Sequence, residues 1–255
     1  MSAISVVCRR IGVVSALPVR IRQQQPEDAA KLMRLYGADP DQVDRIESLA
    51  RRADEGTQLA PYSEVLPDWF RTFAGLEALA ASQFTYQAMT LTGQLQTEAY
   101  ATALLSGGLQ IAPLDLPRAI KARMARQRLM NAENPLHLEV VVEDDTLGRL
   151  VGGPEVMLTQ LRHLLDLMKQ PNVKLQVMPK TAAVHVGLDG DFTLLGFSEA
   201  ESIGYIEYQT GSVYVQDPAQ VALYKLIADR LRALALSTDE SAQVILDHVD
   251  RLQRA

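Results

Sequence analysis

Leu136-His137-Leu138-Glu139-Val140-Val141-Val142 is followed by an amphipathic run over residues 154–168, and then by Val173-Lys174-Leu175-Gln176-Val177-Met178. The first and third pieces are short and rich in branched apolar residues, and the third alternates with period two. That is strand patterning. The middle piece carries Val156, Met157, Leu161, Leu164, Leu165 and Met168 at helical spacing. Three further strands are predicted over 192–197, 203–208 and 212–215, with Gly190, Gly204 and Gly211 near their boundaries. Gln209-Thr210-Gly211 reads as a hairpin turn. A strand–helix–strand unit followed by consecutive strands predicts an α+β fold, with helices covering one face of a small mixed sheet.

Working outward, a helix is predicted over 68–83, with Trp69, Phe70, Phe73, Leu76, Leu79 and Ala80 as its apolar stripe. A short strand follows over 84–89, then helices over 97–105 and 117–129. The second of these helices reads as basic on an exposed side through Arg118, Lys121, Arg123, Arg126 and Arg128. Helices over 218–236 and 239–254 close the chain. Upstream, Pro26-Glu27-Asp28 opens a helix that carries Ala29, Leu32, Met33 and Tyr36 and stops at Gly37. Asp39-Pro40-Asp41 opens a second, with Val43, Ile46, Leu49 and Ala50 on one face and Arg51 and Arg52 at its end. Residues 54–67, with Gly56, Pro61 and Pro67, read as a linker. The expected organisation is therefore a helical head over 1–53, a linker over 54–67 and an α+β domain over 68–255.

Composition narrows the function classes. With 255 residues, 47% hydrophobic and 22% charged, the chain has ordinary globular composition and needs no staples. A single cysteine, Cys8, excludes an internal disulfide and a cysteine-rich metal site. No apolar run reaches the roughly 20 residues that span a bilayer, and residues 1–19 fit a signal peptide poorly, so a cytoplasmic location is expected. The net charge of −6 does not suit a dedicated nucleic-acid binder. Arg9, Arg10, Arg20 and Arg22 nevertheless make residues 1–25 basic, without a single acid.

Hydrolase, nucleotide and zinc-protease signatures are missing. Gly152-Gly153 before Pro154 suits either an anion at a helix start or a plain loop. His163 and Asp166, three apart, suit either a metal pair or a solvated helix edge, and no third ligand is visible. The loop around His185, with Asp189 and Asp191, suits either acid–base chemistry or a polar turn. Glu143-Asp144-Asp145 suits either a cation or acid–base site, or a cap for the next helix at Asp145 or Thr146. The sequence implies neither a cofactor nor a metal.

Several segments together resemble one family. Leu66-Pro67-Asp68-Trp69-Phe70 and Leu76-Glu77-Ala78-Leu79-Ala80 are similar to the opening of the large C-terminal domain of actinobacterial XRE-type helix-turn-helix regulators. The resemblance continues through Thr92-Gly93-Gln94-Leu95-Gln96-Thr97-Glu98-Ala99-Tyr100-Ala101, Arg126-Gln127-Arg128-Leu129, Val151-Gly152-Gly153 and Gln160-Leu161-Arg162-His163-Leu164. It ends in Asn172-Val173-Lys174-Leu175-Gln176-Val177-Met178-Pro179, Gly190-Asp191-Phe192-Thr193-Leu194-Leu195 and Tyr205-Ile206-Glu207-Tyr208. Thr92 and Gln94 stand where that family usually has a proline and a leucine.

The resemblance implies transcriptional control by a domain that senses a small molecule or docks a protein, with a small acidic protein encoded nearby as partner. It does not imply an enzyme. Arg20 and Arg22 look like the tail of the DNA-binding head, but no recognition helix is legible in residues 2–19. The expectation is a truncated or degenerate head that binds DNA specifically only if an intact one is supplied. A homodimer is compatible with the sequence, and no membrane is involved. Gln94, Gln96, Thr97, Tyr100, His185 and Asp191 are the candidate ligand- or partner-binding residues, as polar groups on otherwise apolar segments. The competing reading is a small-molecule enzyme that uses the His185 loop and the carboxylates of Glu143, Asp144 and Asp145.

Overall fold

The computed structural model describes residues 26–40, 43–44, 61–62 and 64–254. Helix α1 (Pro26–Leu35) starts on its proline as expected, and Gly37 follows with φ +74°. Most of the expected second helix and of the linker, like Arg20 and Arg22, lies outside the described residues.

The body is a six-stranded mixed sheet carrying helices, an α+β fold. Its strands are β1 (Ser82–Gln87), β2 (His137–Glu143), β3 (Val173–Met178), β4 (Phe192–Gly196), β5 (Ile203–Tyr208) and β6 (Gly211–Val215), in the order β3-β2-β1-β4-β5-β6. β1, β2 and β3 run parallel, whereas β4, β5 and β6 are antiparallel neighbours. β1 is thus the strand at which the pairing changes sense. Tyr208 pairs with Gly211, so the β5–β6 connection is the expected hairpin.

The helices of the body are α2 (Asp68–Leu79), α3 (Glu98–Ser106), α4 (Leu116–Arg126), α5 (Asp144–Gly148), α6 (Pro154–Leu167), α7 (Pro218–Leu234) and α8 (Thr238–Arg254). Local chemistry sets several of their starts. Thr97 accepts from the Tyr100 amide ahead of α3, and Asp217 accepts from the amides of Ala219 and Gln220 ahead of α7. Ser237 and Glu240 bond reciprocally ahead of α8, a capping box.

The expected one-sided covering is corrected: helices pack on both faces of the sheet. Leu138, Val140 and Val142 of β2 and Val173, Leu175 and Val177 of β3 meet Tyr100, Met157, Leu161, Leu164, Ile245 and Val249. Phe73 and Leu76 of α2 meet Leu195 and Tyr205 farther along that face. On the opposite face Phe84, Tyr86, Val141, Phe192 and Leu194 pack against Ala228 and Leu231 of α7. A sheet buried on both sides explains why its parallel strands read as near-continuous apolar runs.

Three boundaries also move. The helix expected to run to residue 83 stops at Leu79, because Ala80 is extended and the Ala81 amide already bonds to Gly196 O. Strand β1 therefore begins at Ser82. The basic helix ends at Arg126 and tightens into a 3₁₀ turn, Gln127–Asn131. The cap expected at Asp145 or Thr146 is at Glu143, and the Thr146 hydroxyl instead donates to Ala88 O at 2.8 Å.

Trp69 is only half-buried, edge-on to Phe70 at 6.0 Å, while Phe73 and Leu76 are buried. Trp69→Ala is therefore expected to cost about 1–2 kcal/mol, less than loss of a fully buried aromatic. Urea unfolding of the variant checks this, and a loss above that range would mean that the indole anchors α2.

Candidate functional site

Successive side chains of β1 point to opposite faces, and this divides the expected binding residues into two groups. Gln83 faces the side of α2, α4 and α6, whereas Phe84 and Tyr86 face α7.

On the first side, Glu77 of α2 and Arg126 of α4 form a bidentate ion pair, with Arg126 Nε 2.7 Å from Oε2 and Nη2 2.8 Å from Oε1. Both side chains are buried, which corrects the reading of Arg126 as part of an exposed basic face; Arg123 is only partly exposed. The guanidinium carbon lies 4.8 Å from the Phe70 ring centroid, a cation–π contact. Burial pushes this guanidinium down, but the Glu77 carboxylate outweighs burial and holds it above its ordinary value. Gln94 Nε2 donates to Glu77 Oε1 and, at 3.3 Å, to Gln83 Oε1. Gln96 donates to Leu91 O at 2.6 Å and accepts from Arg123 Nη1 at 3.1 Å. Gln160 holds the same turn from α6: its Oε1 accepts from the Thr97 amide and its Nε2 donates to Leu95 O. The Tyr100 hydroxyl accepts from the Leu91 amide at 3.3 Å. Gln94, Gln96, Thr97 and Tyr100 thus belong to one connected network.

His185 and Asp191 belong to the other side, at the carboxyl ends of the parallel strands. The Tyr86 hydroxyl donates to Glu143 Oε1 at 2.6 Å, and His185 Nε2 lies 3.2 Å from the same oxygen. The Gly187 amide donates to His185 Nδ1 at 3.2 Å. Nδ1 is therefore the acceptor, so Nε2 carries a proton and points it at Glu143. Asp191 Oδ1 accepts from the Ala88 amide at 2.8 Å. The loop leaving β3 is thereby tied to the ends of β1 and β2. The neighbouring carboxylates are engaged as well, Asp144 with His248 Nε2 at 2.5 Å and Asp145 with Lys180 Nζ at 2.5 Å.

Burial raises the Asp191 carboxyl, the Ala88 amide works against that, and Glu143 adds repulsion. The folded state therefore holds this proton more tightly than the unfolded chain. Stability from this group is present at low pH and is lost as pH rises through the raised folded value. Asp191→Asn keeps an acceptor for Ala88 and removes the charge. The stability difference between variant and wild type is expected to move in the variant's favour from acid to neutral pH in thermal melts. Movement the other way would show that the charge stabilises the loop.

The remaining candidates have local roles. Gly152 and Gly153 have φ +73° and +93°, and a Cβ on Gly152 would sit 2.9 Å from Ala103 Cβ. The pair lets this loop approach α3. Asp166 pairs with Lys169 at 2.7 Å, while His163 Nε2 is buried without a partner among the described residues. No group of three or more His, Cys, Asp or Glu that could hold a metal occurs among the described residues. No helix among them is long and apolar enough to cross a membrane.

A family model matches residues 70–247, most of the chain and nearly all of the body just described. The chain belongs to the DUF5753 family, described as a domain of unknown function. No curated protein and no solved structure matches it significantly. The DUF5753 match begins inside α2 and ends inside α8, so it includes both polar clusters. Within this domain, sequence reading passed over Glu77, Gln83, Tyr86 and Gln160 as site members. The available signal was polar residues at core-facing positions: Gln160 lies between Met157 and Leu161, and Glu77 beside Leu76.

Proposed function

We propose that this DUF5753 chain is the sensing or partner-binding body of an XRE-type transcriptional regulator rather than an enzyme. The observation that carries the reading is the buried Glu77–Arg126 pair. It ties α2, the helix that follows the linker, to the polar network on the sheet. A ligand or partner that competes for Arg123 or Arg126 would loosen or tighten α2 and so reach whatever precedes it in the chain. That is a differential contact of the kind a switch requires.

The competing enzyme reading uses His185 as an acid–base group. Both its ring nitrogens are already engaged, by Gly187 and Glu143, and its side chain is 3% exposed. Such a histidine orders a loop more readily than it meets a substrate.

The test joins an intact helix-turn-helix head to this chain and measures operator binding at fixed salt, with and without the small acidic protein encoded nearby. The 255 residues alone are expected to bind DNA without selectivity, and the headed form selectively, with an affinity that changes when the acidic protein is added. Unchanged operator affinity would remove the regulatory reading. Turnover that disappears in His185→Ala would favour the enzyme instead.

A further inference from the structure

The two edges of the sheet are finished differently. At β3 both main-chain groups of Val177 are taken. Its carbonyl accepts from the Leu236 amide at 2.9 Å, and its amide donates to the Ser241 hydroxyl at 2.8 Å. Lys174 adds an exposed charge to the same strand, a device that keeps an edge from pairing. The edge at β6 carries none of this. Its residues, Gly211-Ser212-Val213-Tyr214-Val215, include no charge and no proline. The two-residue turn pairs Tyr208 with Gly211, and bonding alternates from there. Gly211, Val213 and Val215 therefore bond to β5, while Ser212 and Tyr214 turn their amides and carbonyls outward. No backbone group among the described residues bonds to any of those four.

Apolar side chains flank the open edge. Val213 lies opposite Ile206 on the α7 face and is 49% exposed; Tyr208, on the same face, is 53% exposed. Tyr214, whose hydroxyl donates to Trp69 O at 3.0 Å, lies on the α2 face together with Ser212. Leu109, fully exposed, stands next to Gln110, whose Nε2 donates to Gln209 O in the hairpin turn at 2.7 Å. An uncharged edge with outward main-chain donors and acceptors is a template for another extended strand.

We propose that β6 pairs antiparallel with β6 of a second copy of this chain, about a two-fold axis at Val213. In this register the strand is its own complement. The amide and carbonyl of Ser212 meet the carbonyl and amide of the partner's Tyr214, and the symmetric pair repeats the exchange. Every outward group of Ser212 and Tyr214 is then used, in both copies. On the α2 face each tyrosine lies beside a serine, large against small. On the α7 face Val213 meets the partner's Val213, and both lose exposed apolar surface. No charge on the strand faces a like charge. The interface is isologous and closes, so only the sealed β3 edge remains at either end of the joined sheet. The pairing does not depend on the regulatory reading above.

The experiment reads the mass of the full chain by light scattering across a dilution series. A dimer that dissociates on dilution is expected. Val213→Lys sets two like charges on the axis and is expected to weaken the dimer roughly tenfold or more. Cross-linking keeps the proposal testable even if the lysine variant fails to fold. In a Cys8→Ser background, Val213→Cys places two thiols across a non-hydrogen-bonded pair, whose Cα atoms lie about 4.5 Å apart, within disulfide reach. Mild oxidation is expected to give a covalent dimer, whereas Lys174→Cys on the sealed β3 edge stays monomeric. The proposal is overturned if the chain is a monomer at every concentration, or if a folded Val213→Lys variant dimerises like the wild type. It is overturned equally if Val213→Cys cross-links no faster than Lys174→Cys. Hydrogen exchange of the Ser212 and Tyr214 amides adds a further check. Protection that persists in the diluted monomer would mean that a segment of the same chain covers the edge, and would also overturn it.

Discussion

Glu77→Ala is expected to lower the unfolding free energy by about 3–5 kcal/mol, because it leaves a buried guanidinium with no counter-charge. Glu77 is fully buried, and its two oxygens take both bonds from Arg126 as well as the amide of Gln94. The Phe70 ring over Arg126 cannot substitute for a carboxylate, since an arene contact contributes far less than an ion pair at this burial. The loss exceeds what the pair itself adds to stability, because it is mostly the cost of the stranded charge. Glu77→Leu combined with Arg126→Met is therefore expected to recover most of it, as apolar replacements of buried ion pairs commonly do. Denaturant titration of the single and double variants checks both halves. A single variant within about 1 kcal/mol of wild type would mean that water reaches Arg126. A double variant as unstable as the single one would mean that the network around Gln94 needs the charges themselves.

The same pair shows where sequence reading stops. The apolar stripe of α2 was legible as Phe73, Leu76 and Leu79, and these residues are buried where the stripe placed them. The strands over 173–178 and 203–208 were legible to the residue, because their alternation and β-branched content leave no competing helical period. The end of α2 was not. Ala78 to Ala81 carries the helical pattern on into a strand whose two neighbours, β2 and β4, are 55 or more residues away. Local propensity does not contain that pairing. The burial of Arg126 is hidden from the sequence for a related reason. A run of five basic residues on one helix looks like a solvated face until its partner, 49 residues earlier, is known.

The polar binding candidates illustrate both the reach and the limit of residue-type arguments. Gln94, Gln96, Thr97 and Tyr100 read as polar groups on an apolar stretch, and they gather around one turn, which Gln160 braces through the Thr97 amide and Leu95 O. His185 and Asp191 read the same way, but β1 places them beyond the sheet. Its alternation sends Gln83 to one group and Tyr86 to the other. Which face a loop reaches depends on strand order, and the order β3-β2-β1-β4-β5-β6 is not written in any one segment.

Gly187→Val is expected to release the 179–191 loop from the sheet and to cost about 3 kcal/mol, at the upper end of what over-packing usually costs. A Cβ at Gly187 would stand 2.5 Å from Tyr86 Cζ and 2.8 Å from its hydroxyl oxygen. Tyr86 cannot move away: it is fully buried, packs against Phe192, and donates its hydroxyl to Glu143. The loop must therefore lift, and as it does the Gly187 amide leaves His185 Nδ1 and His185 leaves Glu143. Tyr86→Phe separates the contributions. It removes the bond to Glu143 and keeps the ring, at a cost of about 1.5–3 kcal/mol for a hydrogen bond to a charged acceptor, with the loop still seated. Limited proteolysis distinguishes the two outcomes. Faster cleavage between residues 179 and 191 in Gly187→Val, but not in Tyr86→Phe, is the expected result, because only the valine denies the loop its seat. Equal protection in wild type and Gly187→Val would mean that Tyr86 yields instead, and the melting temperature would then fall without any gain in cleavage.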